Sequence, residues 1–198
     1  MADTLPIWFD GFKKIFAENG IELTTRQIAE EVIGDWEGPK KMGIIDSEKF
    51  IADLEEEVMD KLNNVKLNTG AFEIMNKIKL NGGKIAVVTA SRKRWVKNAL
   101  RNNNLREIVD VFLGKEDVGF VKPDPEVIFK AVELMVGNPG ETIIVGDNGK
   151  DIVAGRRAGI DTCLYFPPRY EVYYKKETQL GFGATYVIED FREMEKFL

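Results

Sequence analysis

From residue 67 onward, short continuous Val/Ile runs alternate with helical segments, and no other feature constrains the fold as strongly. A strand apolar at nearly every position needs cover on both of its faces. Helices placed between such strands supply that cover and make the strands run parallel. "KIAVVT" (84–89), "VDVFLG" (109–114), "TIIVG" (142–146), "TCLYF" (162–166) and "ATYVI" (184–188) read as the strands. Between them lie "GAFEIMNKIKL", which stops at Asn81-Gly82-Gly83, and a helix around Trp95, Val96, Ala99 and Leu100. "PEVIFKAVELMV" is opened by Asp124-Pro125, a capping residue followed by proline at the first helical position. "KDIVAGRRAG" and a terminal helix complete the set. The expected fold class is α/β, with a doubly wound, Rossmann-like parallel sheet.

Before residue 66 the apolar spacing is helical throughout. Trp8, Phe12 and Phe16, with Phe9 and Ile15, form one stripe that stops at Asn19-Gly20. The stripe reads as core of the helical segment in preference to a substrate wall. Thr24-Thr25-Arg26-Gln27 is a capping-box start, followed by Ile28, Val32 and Ile33. After the break "GDWEGPKKMG", Asp46 or Ser47 caps a third helix with Phe50, Leu54, Val58 and Leu62 on one face. Residues 8–66 are expected to form a small all-helical cap and residues 67–198 the α/β core.

Composition removes several chemistries. The 198 residues contain no histidine, which excludes Ser-His-Asp and Cys-His nucleophile systems and His-ligated zinc. A net charge of −5 argues against a broad nucleic-acid-binding face. The single Cys163 cannot form an intrachain disulfide, as suits a reducing compartment. No apolar run approaches the roughly 18–20 residues of a membrane span, and the start lacks a signal-peptide pattern. A cytoplasmic protein without membrane or nucleic-acid partners is expected, its chemistry resting on carboxylates, hydroxyls, lysines and a hard metal.

Open parallel sheets bind ligands beyond the carboxyl ends of their strands, and three polar signals fall there. Thr89-Ala90-Ser91 offers a hydroxyl and successive backbone N–H groups that suit an anion, or else simply caps a helix. Lys122 in "GFVKPDP" is either a solvated loop residue or a fixed positive charge for a phosphate. Asp147 and Asp151 in "IIVGDNGKDIVAG" place two carboxylates toward one oxygen-ligand site suited to Mg²⁺; alternatively they are a turn aspartate and a dipole-favoured helix-start acid. Lys40 and Lys41 could reach an anionic substrate, although solvated helix-end lysines read better. A P-loop fails because Ile144 stands at its first glycine position, and a calcium loop fails at Ala158.

Taken together, "VVTAS", "VKPDPEVIF" and "IIVGDNGKDIVAGRRAG" resemble the haloacid dehalogenase-like superfamily in order and spacing, and the helical block resembles its C1-type cap. The resemblance implies a Mg²⁺-dependent phosphatase acting on a small phosphorylated metabolite. It implies that Thr89 and Lys122 are catalytic, that Thr89, Ala90, Ser91 and Lys122 bind phosphate, and that Asp147 and Asp151 bind Mg²⁺.

The family's first motif, a strand ending in Asp-x-Asp-x-Thr whose first Asp is the nucleophile, is not matched. Only Asp3-Thr4-Leu5 fits its tail, so residues 1–7 read as a remnant of the first core motif, and this chain has no nucleophile. Asp10-Gly11 is no substitute, because Phe12 stands where the second acid belongs. The first core strand is therefore expected to be missing, and "MADTLPI", carrying Pro6, cannot readily fill its slot. Two outcomes are expected: a phosphatase crippled by loss of its nucleophile, or a non-catalytic pseudo-phosphatase that binds phosphate, metal or a protein partner. Self-association through the incomplete sheet is a further expectation.

Overall fold

The structure is a computed structural model that describes residues 1–35 and 37–198. Trp36, inside the break "GDWEGPKKMG", lies outside the described residues. The chain opens with α1 (Leu5–Glu18), which carries Pro6 in its first turn and ends at Asn19 with Gly20 at φ 74°. The capping box forms as the sequence predicts: Thr24 Oγ1 accepts from Gln27 N at 3.2 Å and Gln27 Oε1 accepts from Thr24 N at 2.9 Å. The helix it starts, α2 (Thr25–Gln27), passes directly into a wider π-turn over Ile28–Val32. The short α3 (Gly38–Lys41) and the long α4 (Ser47–Asn63) follow, the latter capped by Asp46 Oδ1 on Lys49 N at 2.9 Å.

These helices bury one stripe each. Phe9, Ile15 and Phe16 of α1 pack with Phe50, Leu54 and Val58 of α4, and the Phe16 and Phe50 rings lie 4.8 Å apart. Gly11 permits this approach, since a Cβ there would stand 2.5 Å from Val58 Cγ1. The role of Gly11 is thus one of packing between α1 and α4.

The remaining elements are α5 (Ala71–Leu80), β1 (Ala86–Val88), α6 (Lys93–Asn102), β2 (Val111–Leu113), α7 (Glu126–Leu134), β3 (Ile143–Gly146), α8 (Gly149–Arg157), β4 (Asp161–Tyr165), α9 (Lys176–Leu180) and β5 (Tyr186–Ile188); they alternate as expected except for α9, a short helix between β4 and β5 that the apolar spacing does not predict. Two boundaries differ from expectation. Asp124 does not cap α7 from the adjoining position: Pro125 precedes the first helical residue, while Asp124 Oδ1 accepts from Glu126 N at 2.9 Å. The closing helix is 3₁₀, over Phe191–Lys196, initiated by Asp190 accepting from Arg192 N.

All strand pairs among the described residues are parallel, but the sheet is in two pieces. β1 pairs with β2, setting Ala86 opposite Val111 and Val88 opposite Leu113. β3, β4 and β5 form the other piece in that order. Among the described residues no strand bridges β1 and β3. Parallel strands direct alternate residues to opposite neighbours. Ile85 O and Thr89 N are bonded to the β2 side, so the backbone groups of Ala86 and Val88 turn away from β2. Residues 1–3 do not take that place. Ala2 forms an isolated antiparallel bridge with Leu67, and Asp3 N donates to Lys66 O at 2.9 Å.

The helical segment is tied to the core by Asn102 Nδ2 donating to Asn63 O and by Asn103 Nδ2 donating to Val65 O, both at 2.8 Å. Among the described residues no helix is long and apolar enough to cross a membrane.

Candidate phosphoryl and metal site

Thr89 follows β1 directly and is not the cap of the next helix, which starts at Lys93 behind Arg92. Its N–H completes the strand pairing by donating to Leu113 O at 3.0 Å, and its Oγ1 accepts from Ser91 N at 3.1 Å. The Ser91 N–H is therefore turned onto the threonine oxygen, which leaves the Thr89 hydroxyl hydrogen free to point elsewhere. Ala90 and Ser91 line the same cavity as Thr89.

Lys122 comes from the loop between β2 and α7, and its side chain is largely buried. Its ammonium donates to Val88 O at 3.2 Å and to Asp151 Oδ1 at 2.6 Å. A lysine buried this far needs such partners, because an unpaired interior charge costs several kcal/mol. The solvated-loop reading of Lys122 does not describe its surroundings.

Asp147 sits at the end of β3, and Asp151 in the first turn of α8, where it is 6% exposed. Asn148 is the cap of α8, accepting from Lys150 N at 2.9 Å. Asp151 Oδ2 accepts from Asp147 N at 3.2 Å, so the two acids fold back on one another. Burial, reinforced by the charge of Asp151, pushes the Asp147 carboxyl up to about 6. The N-terminal ammonium of Met1 lies in the field of the same acids; burial lowers its pKa and their charges oppose that lowering.

Two glycines make this turn possible. A Cβ on Gly146 would overlap Asp151, 2.1 Å from its Cβ, and one on Gly149 would strike the Phe182 ring. Gly149 N donates to Gln179 Oε1 at 2.8 Å, anchoring the start of α8 from the far end of the chain. Neither Gln179 nor Phe182 carries a local sequence signal, since both act from 30 or more residues away.

Thr89, Ala90, Ser91, Lys122, Asp147 and Asp151 all line one cavity of about 190 Å³ between the strand ends and the helical segment. Trp8 and Phe12 line it too, so the aromatic stripe divides: Phe16 is core, while Trp8 and Phe12 also form wall. Lys40 and Lys41 are not among the lining residues; Lys41 instead pairs with Asp35 at 2.7 Å. A larger hollow of about 440 Å³ beside Phe120 and Arg157 is lined by none of these six residues.

The donor set suits a hard cation. Both acids offer oxygen ligands, and Mg²⁺ is commonly held by one or two carboxylates with water and phosphate oxygens completing its shell. Burial and mutual repulsion are what raise Asp147, and a divalent ion between the acids relieves both. Among the described residues no cluster of three acidic, His or Cys side chains forms a closed all-protein site.

The fold and cavity define a doubly wound α/β protein that gathers a hydroxyl, a lysine and two acids at the carboxyl ends of its central strands, facing a helical layer. The sequence profile described as "Haloacid dehalogenase-like hydrolase" matches residues 1–165, and the chain belongs to that family. Pyrophosphatase PpaX of Bacillus mycoides (strain KBAB4) is 41% identical over 91 residues, covering 46% of this chain and 42% of that protein. The PpaX of Bacillus cereus (strain B4264) is 36% identical over 115 residues, covering 58% and 50%. The chain thus spans about half the length of the curated relatives it matches. Among solved structures, a hydrolase from Pseudomonas syringae superposes with a TM-score of 0.84 at 18% identity, over 99% of this chain and 92% of that one. CbbY from Rhodobacter sphaeroides, solved with phosphate, gives 0.81 at 19% identity, over 98% and 91%. At those identities the likeness is one of fold.

Proposed function

We propose that this chain carries the phosphoryl-binding and Mg²⁺-binding half of a phosphomonoester hydrolase for a small phosphorylated metabolite, and that these 198 residues bind the phosphoryl group without turning it over. One observation carries the reading: Thr89, Lys122, Asp147 and Asp151, spread over 63 positions, converge on a single cavity through the Lys122–Asp151 pair at 2.6 Å. The names of the PpaX relatives, with their pyrophosphate chemistry, support a phosphoryl ligand. Asp147 and Asp151 hold the metal, which when bound neutralises phosphoryl charge. The Thr89 hydroxyl donates to one phosphoryl oxygen, with the Ala90–Ser91 turn beside it. Lys122 holds Asp151 in place and adds positive charge on the phosphoryl side. Residues 8–66 act as the cap, residues 67–198 as the core. A cytoplasmic, reducing setting suits the one buried thiol.

Turnover fails for lack of a free carboxylate. The acids lining the cavity are Asp35, Asp147 and Asp151. Asp35 is held by Lys41 and by Glu37 N at 2.9 Å, and the other two are the metal ligands. Without an attacking group the rate falls by about 10⁶, on the scale of other nucleophile deletions. With Mg²⁺ present, calorimetric titration of phosphate is expected to saturate, and Asp147→Asn to weaken it at least tenfold, a loss of about 1.4 kcal/mol. Hydrolysis of p-nitrophenyl phosphate at ordinary phosphatase rates overturns the inactive half of this reading; absence of phosphate binding overturns the whole.

A second reading, a dedicated non-catalytic binder of phosphate, metal or a partner, is favoured by the same missing carboxylate. Supplying an apolar strand that ends in Asp-x-Asp separates the two: turnover appears for a crippled enzyme and not for a binder. Self-association through the open strand edges belongs to either reading and is checked by solution mass.

A further inference from the structure

Lys150 stands out among the cations near the cavity because its charge is unmatched. It lies in the first turn of α8, where the helix dipole disfavours a positive charge, and the basic residues that suit the dipole, Arg156 and Arg157, sit in the last turn. Its side chain reaches away from the core to the helical segment, where Nζ donates to Ile33 O at 2.6 Å. Gly34 beside it has φ 71°, and a Cβ on Gly34 would come within 3.2 Å of the ammonium. The carboxylates whose fields reach Lys150 are Asp35 and Asp151. Each already has a lysine of its own, Lys41 at 2.7 Å and Lys122 at 2.6 Å. Among the described residues no carboxylate lies within 4.0 Å of Lys150, and its side chain is only partly exposed. An ammonium has three donors, and one carbonyl occupies one of them. The cation is held in a half-buried place on the cavity wall at a cost to folding, with donors left over.

We infer that Lys150 is a specificity residue that receives a second anionic group of the substrate, on the side of the cavity facing Ile33 and Gly34. The inference rests on the phosphoryl-site reading above and narrows its substrate class. The ligand is a compact phosphate compound bearing a further carboxylate or phosphoryl group. Lys122 is the cation on the phosphoryl side and is already bound to Asp151. Lys150 supplies the other pole and ties the occupied cavity to the helical segment through Ile33. A charged hydrogen bond made in a partly desolvated place is strong enough to set a preference of about tenfold or more.

The test uses three probes in the presence of Mg²⁺, titrated calorimetrically into the full chain. Methylphosphonate carries one anionic group; phosphonoacetate and methylenediphosphonate carry two. The wild-type chain is expected to prefer a doubly anionic probe over methylphosphonate by at least about tenfold. Lys150→Met is expected to abolish that preference, and Lys150→Arg to restore most of it, with unchanged circular dichroism showing that both variants fold. An equal loss for all three probes means that Lys150 only fastens the helical segment, and an unchanged preference means that it does not touch the ligand; either result overturns the inference alone. If no probe binds the wild-type chain, the phosphoryl-site reading falls and this inference with it.

Discussion

β4 and β1 are both short strands within continuous, largely apolar runs, yet their surroundings differ. In β4, Thr162, Cys163, Leu164 and Tyr165 are all buried, because β3 and β5 flank the strand and α8 packs against it. In β1, Ala86, Val87 and Val88 are only half-buried, with β2 on one side and, among the described residues, no strand on the other. β3 shows both conditions, paired to β4 along one edge and open along the other. A continuous apolar run therefore specifies a strand that seeks cover, and its neighbours decide whether it receives it. On the open side of β1 one group has found a substitute partner: Val88 O accepts from the Lys122 ammonium. Lys122 of the candidate site thus also serves the side of β1 that faces away from β2.

The largest effect should come from removing that lysine. Lys122→Met leaves Asp151 buried without its cation and Val88 O without a donor, and is expected to cost about 3–5 kcal/mol in urea unfolding. A loss near that of an exposed pair such as Lys49–Asp53, under about 1 kcal/mol, would break the comparison by showing the edge already satisfied. Next in size is the direct contrast between strands. Leu164→Ala in β4 should cost about 2–5 kcal/mol, whereas Val87→Ala in β1 should cost about 1 kcal/mol, since less of its surface is withdrawn from water. Equal losses would mean that the open side of β1 is covered in solution, as it would be by a second chain. The smallest effect concerns pH. Lys79 and the Ile85 N–H hold the Asp110 carboxyl below the ordinary range, at the junction of β1 and β2. Its depressed folded-state value stabilises the protein above pH 3.8 and is lost as the pH falls through the depressed value. Asp110→Asn should flatten that acid-side loss, by less than about 1 kcal/mol because the pair is one-third exposed.

Most of the architecture was legible because periodicity and capping are local. The Thr24 box, the Asp46 cap and the five strands need only a few adjoining residues to be recognised. The gathering of Thr89, Lys122, Asp147 and Asp151 was also legible, because strand ends in a parallel sheet share one side. What escaped is set by distant neighbours. The π-turn at Ile28–Val32 has the same apolar spacing as the expected helix, and Trp8 cannot be told from Phe16 by spacing alone. Gly146 and Gly149 matter only once Asp151 and Phe182 are packed against them. Lys150 meets Ile33 across 117 positions, a distance no motif encodes.

The Lys122 bridge carries a mechanical consequence. β1 and β2 belong to one block, β3 to β5 to another, and the Lys122 ammonium links them, donating both to Val88 O at the end of β1 and to Asp151 Oδ1 at the start of α8 beside β3. Shear between the blocks would stretch or tilt that link and slide the core that Val88 and Leu113 share with Ile144, so Thr89 and the acidic pair keep their spacing only while the blocks stay in step. Amide exchange should register this as faster deuterium uptake at Ala86 and Val88 than along Thr162–Tyr165, with a bound oxyanion slowing the former by clamping both blocks at once.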